Sequence, residues 1–542
     1  MTYDIILIHP PALYDFRERV SFPGPIAYTV PESTDQFMIP PVGMLSIAAF
    51  LHKNGYNVIV DNLCDRMVHD RSFDAEHHIK TKTAKLYAVG LHWAVHSQGA
   101  IEVAKLCKKL HPDSAVILGG LTATRFHVEA VRKFGFVDAV VRGEGEEPLL
   151  EFAQTLEKSK EIQPTRNATI RDRDGRIRVG EMMEPKIDIN ELDFTRLDLM
   201  EPKRSAFSAD MPPHWSLPVC RGCSYGCISC GGSAYSYKTY LGKKRPSFRS
   251  PDKIVEDLKK LSEQGIRLVF LFQDARMGGE GYSRELARRI REEKLQLTGL
   301  SMELFDPAGE DYMRELSRVD VPLTLTMSPE SGVDSVRMAH RRNYTNEELF
   351  RTIETCQALG VHLIAFFMLA LGNETRETVE ETWKLWEKIC LMDKAAQSEL
   401  HQTTVNYAFG PMILLDPGSS AFDFPGEHGY TLIYKDLEDH VNGLSRPSWH
   451  QWLNYETRHL DRDEIIELML KSIERSIDLR EKYGIYDRAQ AAMERAYHVY
   501  ANRFMIKEVE RAMKISNEDE RRARLDTLKK TMDGYTDKLR RR

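Results

Sequence analysis

The stretch VCRGCSYGCISCGG, residues 219–232, holds four of the chain's eight cysteines. It places Cys220, Cys223, Cys227 and Cys230 directly after a predicted strand at residues 217–220. Eight cysteines are too few for a disulfide scaffold in a chain of 542 residues. Half of them in one short segment therefore indicates a metal site.

Three kinds of metal site are compatible with this spacing. A zinc ribbon separates two CxxC pairs by about 15 to 20 residues, whereas three residues separate the pairs here, which disfavours zinc. A ferredoxin-like electron-transfer site would use all four thiolates. Alternatively, Cys223, Cys227 and Cys230 act alone as CxxxCxxC, and three thiolates on a four-iron cube leave one iron open to substrate.

The cysteine stretch opens a series of strands that alternate with helices. Six strands are predicted, near residues 217–220, 268–272, 299–302, 323–326, 362–369 and 404–409. Six such units indicate a partial or full β/α barrel, whose chemistry lies at the carboxyl ends of the strands. We predict this barrel over residues 205–425, and a charged, mainly helical region over 426–542.

Upstream, residues 1–156 also alternate strand and helix. Five apolar strands are predicted in DIILIHP, YNVIVDN, LYAVGLHW, AVILGG and VDAVVRG. They imply a doubly wound, Rossmann-like parallel sheet, because parallel neighbours need crossover connections. Residues 157–204 are polar and charge-rich and are interpreted as a linker, with RDRDGRIRVG as a short hairpin.

Composition restricts the class of partner. The chain is 42% hydrophobic and 29% charged, long enough for two or three domains. Its formal net charge of -6 gives no sign of a basic field for nucleic acid, so small molecules are expected. The start MTYDIILIHPP lacks a signal peptide, and the apolar run VHLIAFFMLALG is shorter than the ~20 residues of a membrane helix. We expect a cytoplasmic protein without a membrane span.

The CxxxCxxC motif after a first barrel strand resembles the radical S-adenosylmethionine superfamily, and RGCSYGCISC is similar to its RGCPYxCxFC form. Ser229 departs from the usual aromatic residue, and Cys220 is interpreted as a neighbouring thiol that does not bind iron. The resemblance implies a 4Fe-4S cluster on Cys223, Cys227 and Cys230 that cleaves S-adenosylmethionine to a 5'-deoxyadenosyl radical. It also implies an external one-electron reductant such as flavodoxin or ferredoxin.

Polar residues at successive predicted strand ends fall where this family binds S-adenosylmethionine. The predicted contacts are Tyr225, Asp274, Glu303, Ser328, Glu330 and Gly372. Helix caps and turns favour the same residue types, so a structural role stays open for each. The other four cysteines are expected to be buried thiols.

Residues 1–156 resemble the cobalamin-binding domain found ahead of many radical S-adenosylmethionine barrels. The resemblance rests on HPP, PPVGMLSIAAFLHKNGYNVIVDN, LGGLTAT and VDAVVRGEGEEPLLEF together. It implies cobalamin contacts from Pro10, His92, Trp93, Gly119, Gly120, Thr122, Gly143 and Glu144. The DxHxxG motif of other cobalamin proteins is absent. A degenerate Rossmann fold without cobalamin is the alternative, although the missing GxGxxG disfavours a dinucleotide.

This domain pair implies an enzyme, most often one that methylates an unactivated carbon or phosphorus centre of a small molecule or lipid through methylcobalamin. Two alternatives stay open: the same cofactors with oxidation, cyclisation, ring contraction or carbon-carbon coupling, and a non-catalytic electron carrier or cobalamin sensor. The aromatic residues Trp449, Trp452 and Tyr455 either cover the barrel mouth or pack between the barrel and the C-terminal region.

Overall fold

The computed structural model describes residues 2–23, 36, 37, 39, 41–159, 161–203, 214–400, 405–411 and 414–540. Two large sheets organise these residues, and a mainly helical region follows the second sheet.

The first sheet confirms the doubly wound prediction. Its strands are β1 (Thr2–His9), β2 (Val58–Asn62), β3 (Thr83–Gly90), β4 (Ala115–Gly119), β5 (Ala139–Val141), β6 (Ala168–Arg171), β7 (Ile177–Val179) and β8 (Met200–Glu201). They lie in the order β7-β6-β5-β4-β3-β1-β2-β8, and β1 to β5 run parallel. The accompanying helices are α1 (Val42–Lys53), α2 (Leu63–His69), α3 (Ala75–Thr81), α4 (Ser97–Leu110), α5 (Leu121–Arg125), α6 (His127–Lys133) and α7 (Glu146–Ser159).

The segment 157–204, interpreted from sequence as a linker, supplies three edge strands to this sheet. β6 and β7 form the predicted hairpin, and β6 pairs with β5 in antiparallel orientation. β8 pairs with β2 at the opposite edge. The interpretation as a plain linker is therefore corrected, since strands of two to four residues are too short to show an alternating pattern in sequence.

The second sheet is the predicted partial barrel. Strands of this half are β9 (His214–Pro218), β10 (Cys220–Arg221), β11 (Ser247–Phe248), β12 (Leu268–Phe272), β13 (Gly299–Leu304), β14 (Leu323–Glu330), β15 (His362–Leu369) and β16 (Val405–Pro411). The six strands β9 and β12 to β16 lie side by side in chain order and run parallel. The helices are α8 (Ala234–Tyr240), α9 (Pro251–Glu263), α10 (Glu280–Glu292), α11 (Glu310–Leu316), α12 (Asp334–Ala339), α13 (Asn346–Leu359) and α14 (Arg376–Leu400).

Burial alternates along the barrel strands and separates an outer face from a lumen. On β15, Leu363, Ala365 and Phe367 are buried, and the Phe367 ring lies 6.0 Å from Trp386 of α14. The alternate residues of β15, including Phe366 and Met368, are only half-buried. The outer face is thus covered by helices, while the inner face lines an open lumen.

The C-terminal region is mainly helical, as predicted. It comprises α15 (Ser420–Asp423), β17 (Tyr430–Leu432), α16 (Leu437–Leu444), β18 (Tyr455–Thr457), α17 (Arg462–Lys482), α18 (Arg488–Glu494), a π-helical segment (Arg495–Tyr500), α19 (Ala501–Met513) and α20 (Glu518–Arg540). Trp449, Trp452 and Tyr455 are buried in the core, which favours the packing interpretation of this aromatic cluster. Within the described part of the chain, no helix has the length and apolar character needed to cross a bilayer.

Candidate functional site

The cysteine loop lies at the carboxyl end of β9, between β10 and β11. Antiparallel pairing of Cys220 with Phe248 and of Arg221 with Ser247 closes this loop at its base. Gly222 has a φ of 108°, and a Cβ there would lie 2.9 Å from Pro246 Cα. Only glycine fits this turn, which leads the chain from β10 into the loop.

Cys223, Cys227 and Cys230 lie on irregular backbone within this loop. The Tyr225 amide donates to Cys223 Sγ at 3.3 Å, and the Gly232 amide donates to Cys230 Sγ at 3.3 Å. Burial raises the pKa of the Cys223 thiol to about 11 and also raises that of Cys227. These thiols are protonated without a metal, and metal binding would release their protons.

Cys220 is separated from the other three thiols by its own partners. It is buried, and its Sγ donates to Gln273 Oε1 at 2.9 Å and lies 3.5 Å from the Gly222 carbonyl oxygen. This arrangement supports the interpretation of Cys220 as a thiol that does not bind iron.

The donor set of the loop consists of three thiols, which fits an iron-sulfur cube. Among the described residues, no three His, Cys, Asp or Glu side chains are placed to hold one metal ion together. Each thiol of a four-iron cube binds a different iron, so the three thiols have to surround a cube. Three sulfur donors without a carboxylate or imidazole suit such a cluster.

Two carboxylates lie at the ends of neighbouring strands β13 and β14, Glu303 half-buried and Glu330 buried. Burial raises the pKa of Glu303 to about 7, and Glu303 accepts a hydrogen bond from the Gln273 amide. Glu330 pairs with Arg342 at 3.3 Å, and burial raises the Glu330 pKa although Arg342 opposes the shift. Arg342 also donates to the Phe305 carbonyl oxygen at 3.4 Å. No sequence pattern marked Arg342, which lies in an irregular segment after α12.

Asp274 has a structural role in this geometry. It is fully buried, and Arg276 binds its carboxylate through Nε at 3.0 Å and Nη2 at 2.6 Å. The Phe305 amide donates to the same carboxylate at 2.8 Å. Protein groups bind both oxygens, which favours a structural role; the contact of Asp274 with S-adenosylmethionine stays a prediction.

The remaining predicted S-adenosylmethionine contacts have different surroundings. The Tyr225 hydroxyl donates to Asp306 Oδ2 at 2.7 Å. Ser328 is half-buried on β14. A Cβ on Gly372 would lie 1.9 Å from the His428 carbonyl oxygen, so Gly372 is required for close contact with the C-terminal region.

Three residues other than glycine adopt positive φ at strand ends around the barrel mouth. The φ angle is 75° at Gln273 after β12, 66° at Glu330 at the end of β14 and 65° at Ala370 after β15. Such conformations are unfavourable for side chains with a Cβ and concentrate at functional sites. No sequence pattern could have revealed them.

A cavity opens at the carboxyl ends of the first sheet. Its volume is about 1020 Å³ including space open to solvent. Five of the predicted cobalamin contacts line it, namely His92, Gly119, Gly120, Gly143 and Glu144. A Cβ on Gly120, where φ is 117°, would lie 2.5 Å from His92 Cα. The glycine walls fit a large, flat, apolar-faced ligand such as cobalamin.

The other three predicted cobalamin contacts lie outside the cavity lining. Pro10 is buried next to His9, whose Nε2 is 2.8 Å from the Phe37 carbonyl oxygen. Trp93 packs its ring 4.7 Å from His92. Thr122 donates from Oγ1 to the His92 carbonyl oxygen at 3.1 Å and so holds the His92 backbone.

His92 is uncharged at neutral pH in this environment. Burial lowers its pKa to about 4, and burial likewise lowers the pKa of His96. The buried Nε2 of His96 has no hydrogen-bond partner among the described residues. Neutral imidazoles beside the cavity keep a lone pair available.

Comparison with known proteins agrees with both sites. Residues 217–385 match the sequence model of the radical SAM superfamily, and residues 33–153 match that of the B12 binding domain. An uncharacterised methyltransferase of Pyrococcus horikoshii is 23% identical over 359 residues, which span 65% of this chain and 73% of the relative. The anaerobic magnesium-protoporphyrin IX monomethyl ester cyclase of Rubrivivax gelatinosus is 24% identical over 358 residues, 64% of this chain and 61% of the relative.

The fold is also similar to a solved structure. The radical S-adenosylmethionine methyltransferase TsrM from Kitasatospora setae, with cobalamin and a [4Fe-4S] cluster bound, gives a TM-score of 0.58 at 14% identity. The alignment covers 99% of this chain and 100% of TsrM. At this identity the similarity shows the fold.

A B12-binding domain that is followed along the chain by a radical S-adenosylmethionine barrel defines an enzyme class that combines both cofactors. The chain belongs to the cobalamin-dependent radical S-adenosylmethionine enzymes. Its cofactors are a 4Fe-4S cluster, S-adenosylmethionine and cobalamin. The predicted enzyme class and cofactors are confirmed, which leaves the electron carrier, the sensor and the cobalamin-free Rossmann fold disfavoured.

Proposed function

We propose that this enzyme methylates an unactivated carbon or phosphorus centre of a small molecule. The proposal rests on one observation: the segment that carries the cluster cysteines also lines the cavity of the first sheet. Arg221 lines the cavity of the first sheet and stands two residues before Cys223. When bound, the cluster with S-adenosylmethionine would supply a carbon-centred radical, and cobalamin would supply a methyl group.

The chain's own groups would hold the cluster through Cys223, Cys227 and Cys230. The backbone amides of Tyr225 and Gly232 already donate to two of these sulfurs and would stabilise them as thiolates. Cys220 is engaged with Gln273, which supports a cube with one iron free for S-adenosylmethionine.

Glu303, Ser328, Glu330 and Arg342 surround the space where S-adenosylmethionine would bind. Burial raises the pKa of nearby Cys227 and of Glu330, and the positive charge of Arg342 partly offsets both increases. We assign Arg342 to the charge balance of the loaded cluster. Glu303 would accept hydrogen bonds from the amino or hydroxyl groups of S-adenosylmethionine.

The barrel lumen would receive the substrate below the cluster. Its half-buried lining includes Phe272, Thr326, Phe366 and Met368. On the described barrel strands, neither lysine nor arginine occupies an inward position. The same inward face also carries polar residues, among them Ser301, Thr324 and Asn406. The lack of a cation favours a substrate whose reacting part is not an anion, because a buried anion is costly without a charged partner.

A second candidate keeps both cofactors and ends in cyclisation or oxidation. It is favoured by the similarity to the anaerobic cyclase, whose aligned part covers nearly as much of this chain as that of the Pyrococcus methyltransferase. The fold and the cavity are equally compatible with both outcomes.

The test is anaerobic turnover with dithionite and S-adenosylmethionine that carries a deuterated methyl group. Formation of 5'-deoxyadenosine is expected with the reconstituted enzyme and is abolished by Cys227→Ala. Candidate substrates are included in these incubations, and the mixtures are analysed by mass spectrometry. The product should be heavier than its substrate by one labelled methyl group. 5'-Deoxyadenosine accompanied by an unlabelled, oxidised or cyclised product would support the second candidate instead.

A further inference from the structure

The cobalamin cavity has one wall that comes from the other half of the chain. Most lining residues belong to the first sheet and its helices. Arg221, Tyr237 and Leu241 line the same cavity, although they belong to the segment that carries the cluster cysteines. This shared segment, residues 221–243, therefore adjoins both cofactor sites.

Arg221 fixes the beginning of the shared segment to the loop after β5. Its guanidinium pairs with Glu144 at 3.0 Å and with Glu146 at 2.6 Å. It also donates to Ser46 Oγ at 2.7 Å, on the first turns of α1, and lies over the Phe194 ring at 5.5 Å. The side chains of Arg221 and Glu146 are 13% and 3% exposed, so this pair is largely removed from water.

The end of the shared segment is fixed to the same loop. Lys243 pairs with Glu144 at 2.6 Å, and its side chain is 5% exposed. Gly143 has a φ of 74°, and a Cβ there would lie 3.3 Å from the Leu241 carbonyl oxygen. Glu144 thus binds a cation at each end of the shared segment, and glycine at 143 allows the two backbones to meet.

Within the shared segment, α8 is bonded to the cysteine loop. The Ala234 amide at the start of α8 donates to the Tyr225 carbonyl oxygen at 2.8 Å. The Ser236 hydroxyl donates to the Cys230 carbonyl oxygen at 3.2 Å. The next turn of α8 then presents Tyr237 to the cavity. A ligand on either side would therefore order the same short helix.

We propose that cobalamin binding in the cavity and cluster binding on the cysteine loop are positively coupled through the shared segment. The inference rests on the proposed function, because it assumes that both cofactors bind where proposed. A cofactor that orders the segment from one side lowers the entropy lost when the second cofactor binds. The effect is reciprocal, and couplings of this kind are typically about 5–150-fold.

The experiment compares the dissociation constant of hydroxocobalamin for the full-length wild-type chain before and after anaerobic reconstitution of the cluster. We expect about 5-fold or tighter binding to the reconstituted protein. Reciprocally, saturating hydroxocobalamin should slow the loss of iron to a chelator by a similar factor. Equal dissociation constants with and without the cluster would overturn the inference.

A matched pair of variants assigns the coupling to the shared segment. Leu241→Ala and Leu149→Ala each trim one buried cavity residue, the first in the shared segment and the second in α7. Both should weaken hydroxocobalamin binding. Leu241→Ala should reduce the coupling factor toward one, whereas Leu149→Ala should preserve it. Equal coupling in the two variants would contradict the assignment.

Arg221→Gln tests the ion pairs directly. It should abolish the coupling while the cysteines remain intact. If this variant does not fold, the comparison of Leu241→Ala with Leu149→Ala tests the coupling. Failure of the proposed function has a different signature. In that case the wild-type chain binds no hydroxocobalamin or assembles no cluster, whereas failure of the present inference leaves both cofactors bound with independent affinities.

Discussion

At the residue scale, the barrel mouth contains carboxylates that are paired with protein groups. Glu374, between β15 and α14, accepts hydrogen bonds from the Ala370 amide at 2.7 Å and the Leu371 amide at 3.3 Å. Its Oε1 has no partner among the described residues, and burial raises the Glu374 pKa to about 8. The native protein therefore keeps this carboxyl protonated at neutral pH.

Glu374 makes stability depend on pH. Between its ordinary pKa of 4.5 and about 8, the native state holds a proton that the unfolded chain has released. The free energy of unfolding consequently falls as pH rises through this window, by up to about 1.4 kcal/mol per pH unit. Glu374→Gln should remove this slope and be more stable than wild type at pH 8. Thermal denaturation of the cofactor-free protein at pH 6 and pH 8 measures this change in stability. Glu380→Gln, at an exposed position, is the control.

Asp274→Asn separates a structural role from a cofactor contact. The change leaves Arg276 without its buried anionic partner. Breaking a fully buried pair lowers the free energy of unfolding by about 3–5 kcal/mol. Because Arg276 is partly exposed, we expect a loss of about 2 kcal/mol here. The melting temperature of the cofactor-free protein should fall accordingly, while Ser328→Ala leaves it nearly unchanged. Unchanged stability together with weaker S-adenosylmethionine binding would contradict the structural role.

At the element scale, the structure shows which features a sequence can predict. The five strands β1 to β5 and the six barrel strands were predictable, because apolar runs bounded by helical patterns identify buried parallel strands. The spacing of Thr345 and Glu348 is likewise typical of a capping box, and such a box begins α13. β6, β7 and β8 were not recognised as parts of the first sheet, since their pairing depends on tertiary contacts.

The candidate site was predictable to a similar degree. The cysteine spacing identified the three proposed cluster thiols, and glycines identified much of the cavity wall. Sequence could not show that the Phe305 amide donates to Asp274 or that Arg342 donates to the Phe305 carbonyl oxygen, because these contacts join segments that follow different strands. Sequence also could not predict the positive φ angles of Gln273, Glu330 and Ala370 at the barrel mouth.

Gly372 joins the end of β15 to the C-terminal region, and its substitution should affect folding. Gly372→Ala would place a methyl group 1.9 Å from the His428 carbonyl oxygen, and overpacking of this kind costs about 1–3 kcal/mol or more. Urea denaturation should show that loss. Gly309→Ala, whose Cβ would meet no atom within 4 Å, is the matched control. Equal stability of the two variants would show that the contact relaxes easily.

At the scale of the whole molecule, the two sheets are joined around their cofactor sites. Asp423 accepts from Arg125 of the first half at 3.0 Å and from Tyr240 of α8 at 2.6 Å. Together with Arg221 and its two glutamates, these contacts hold the cavity beside the cysteine loop. Such an arrangement would bring both cofactors within reach of one substrate, as the proposed methyl transfer requires.

The most direct measurement is the metal content and electron paramagnetic resonance of the anaerobically reconstituted, dithionite-reduced chain and its cysteine variants. We expect about four irons and four sulfides per chain. Both should be lost when Cys223, Cys227 or Cys230 is replaced by alanine and retained in Cys220→Ala. The signal of the reduced cluster should change on addition of S-adenosylmethionine. Zinc in place of iron, or a cluster that also requires Cys220, would contradict the account.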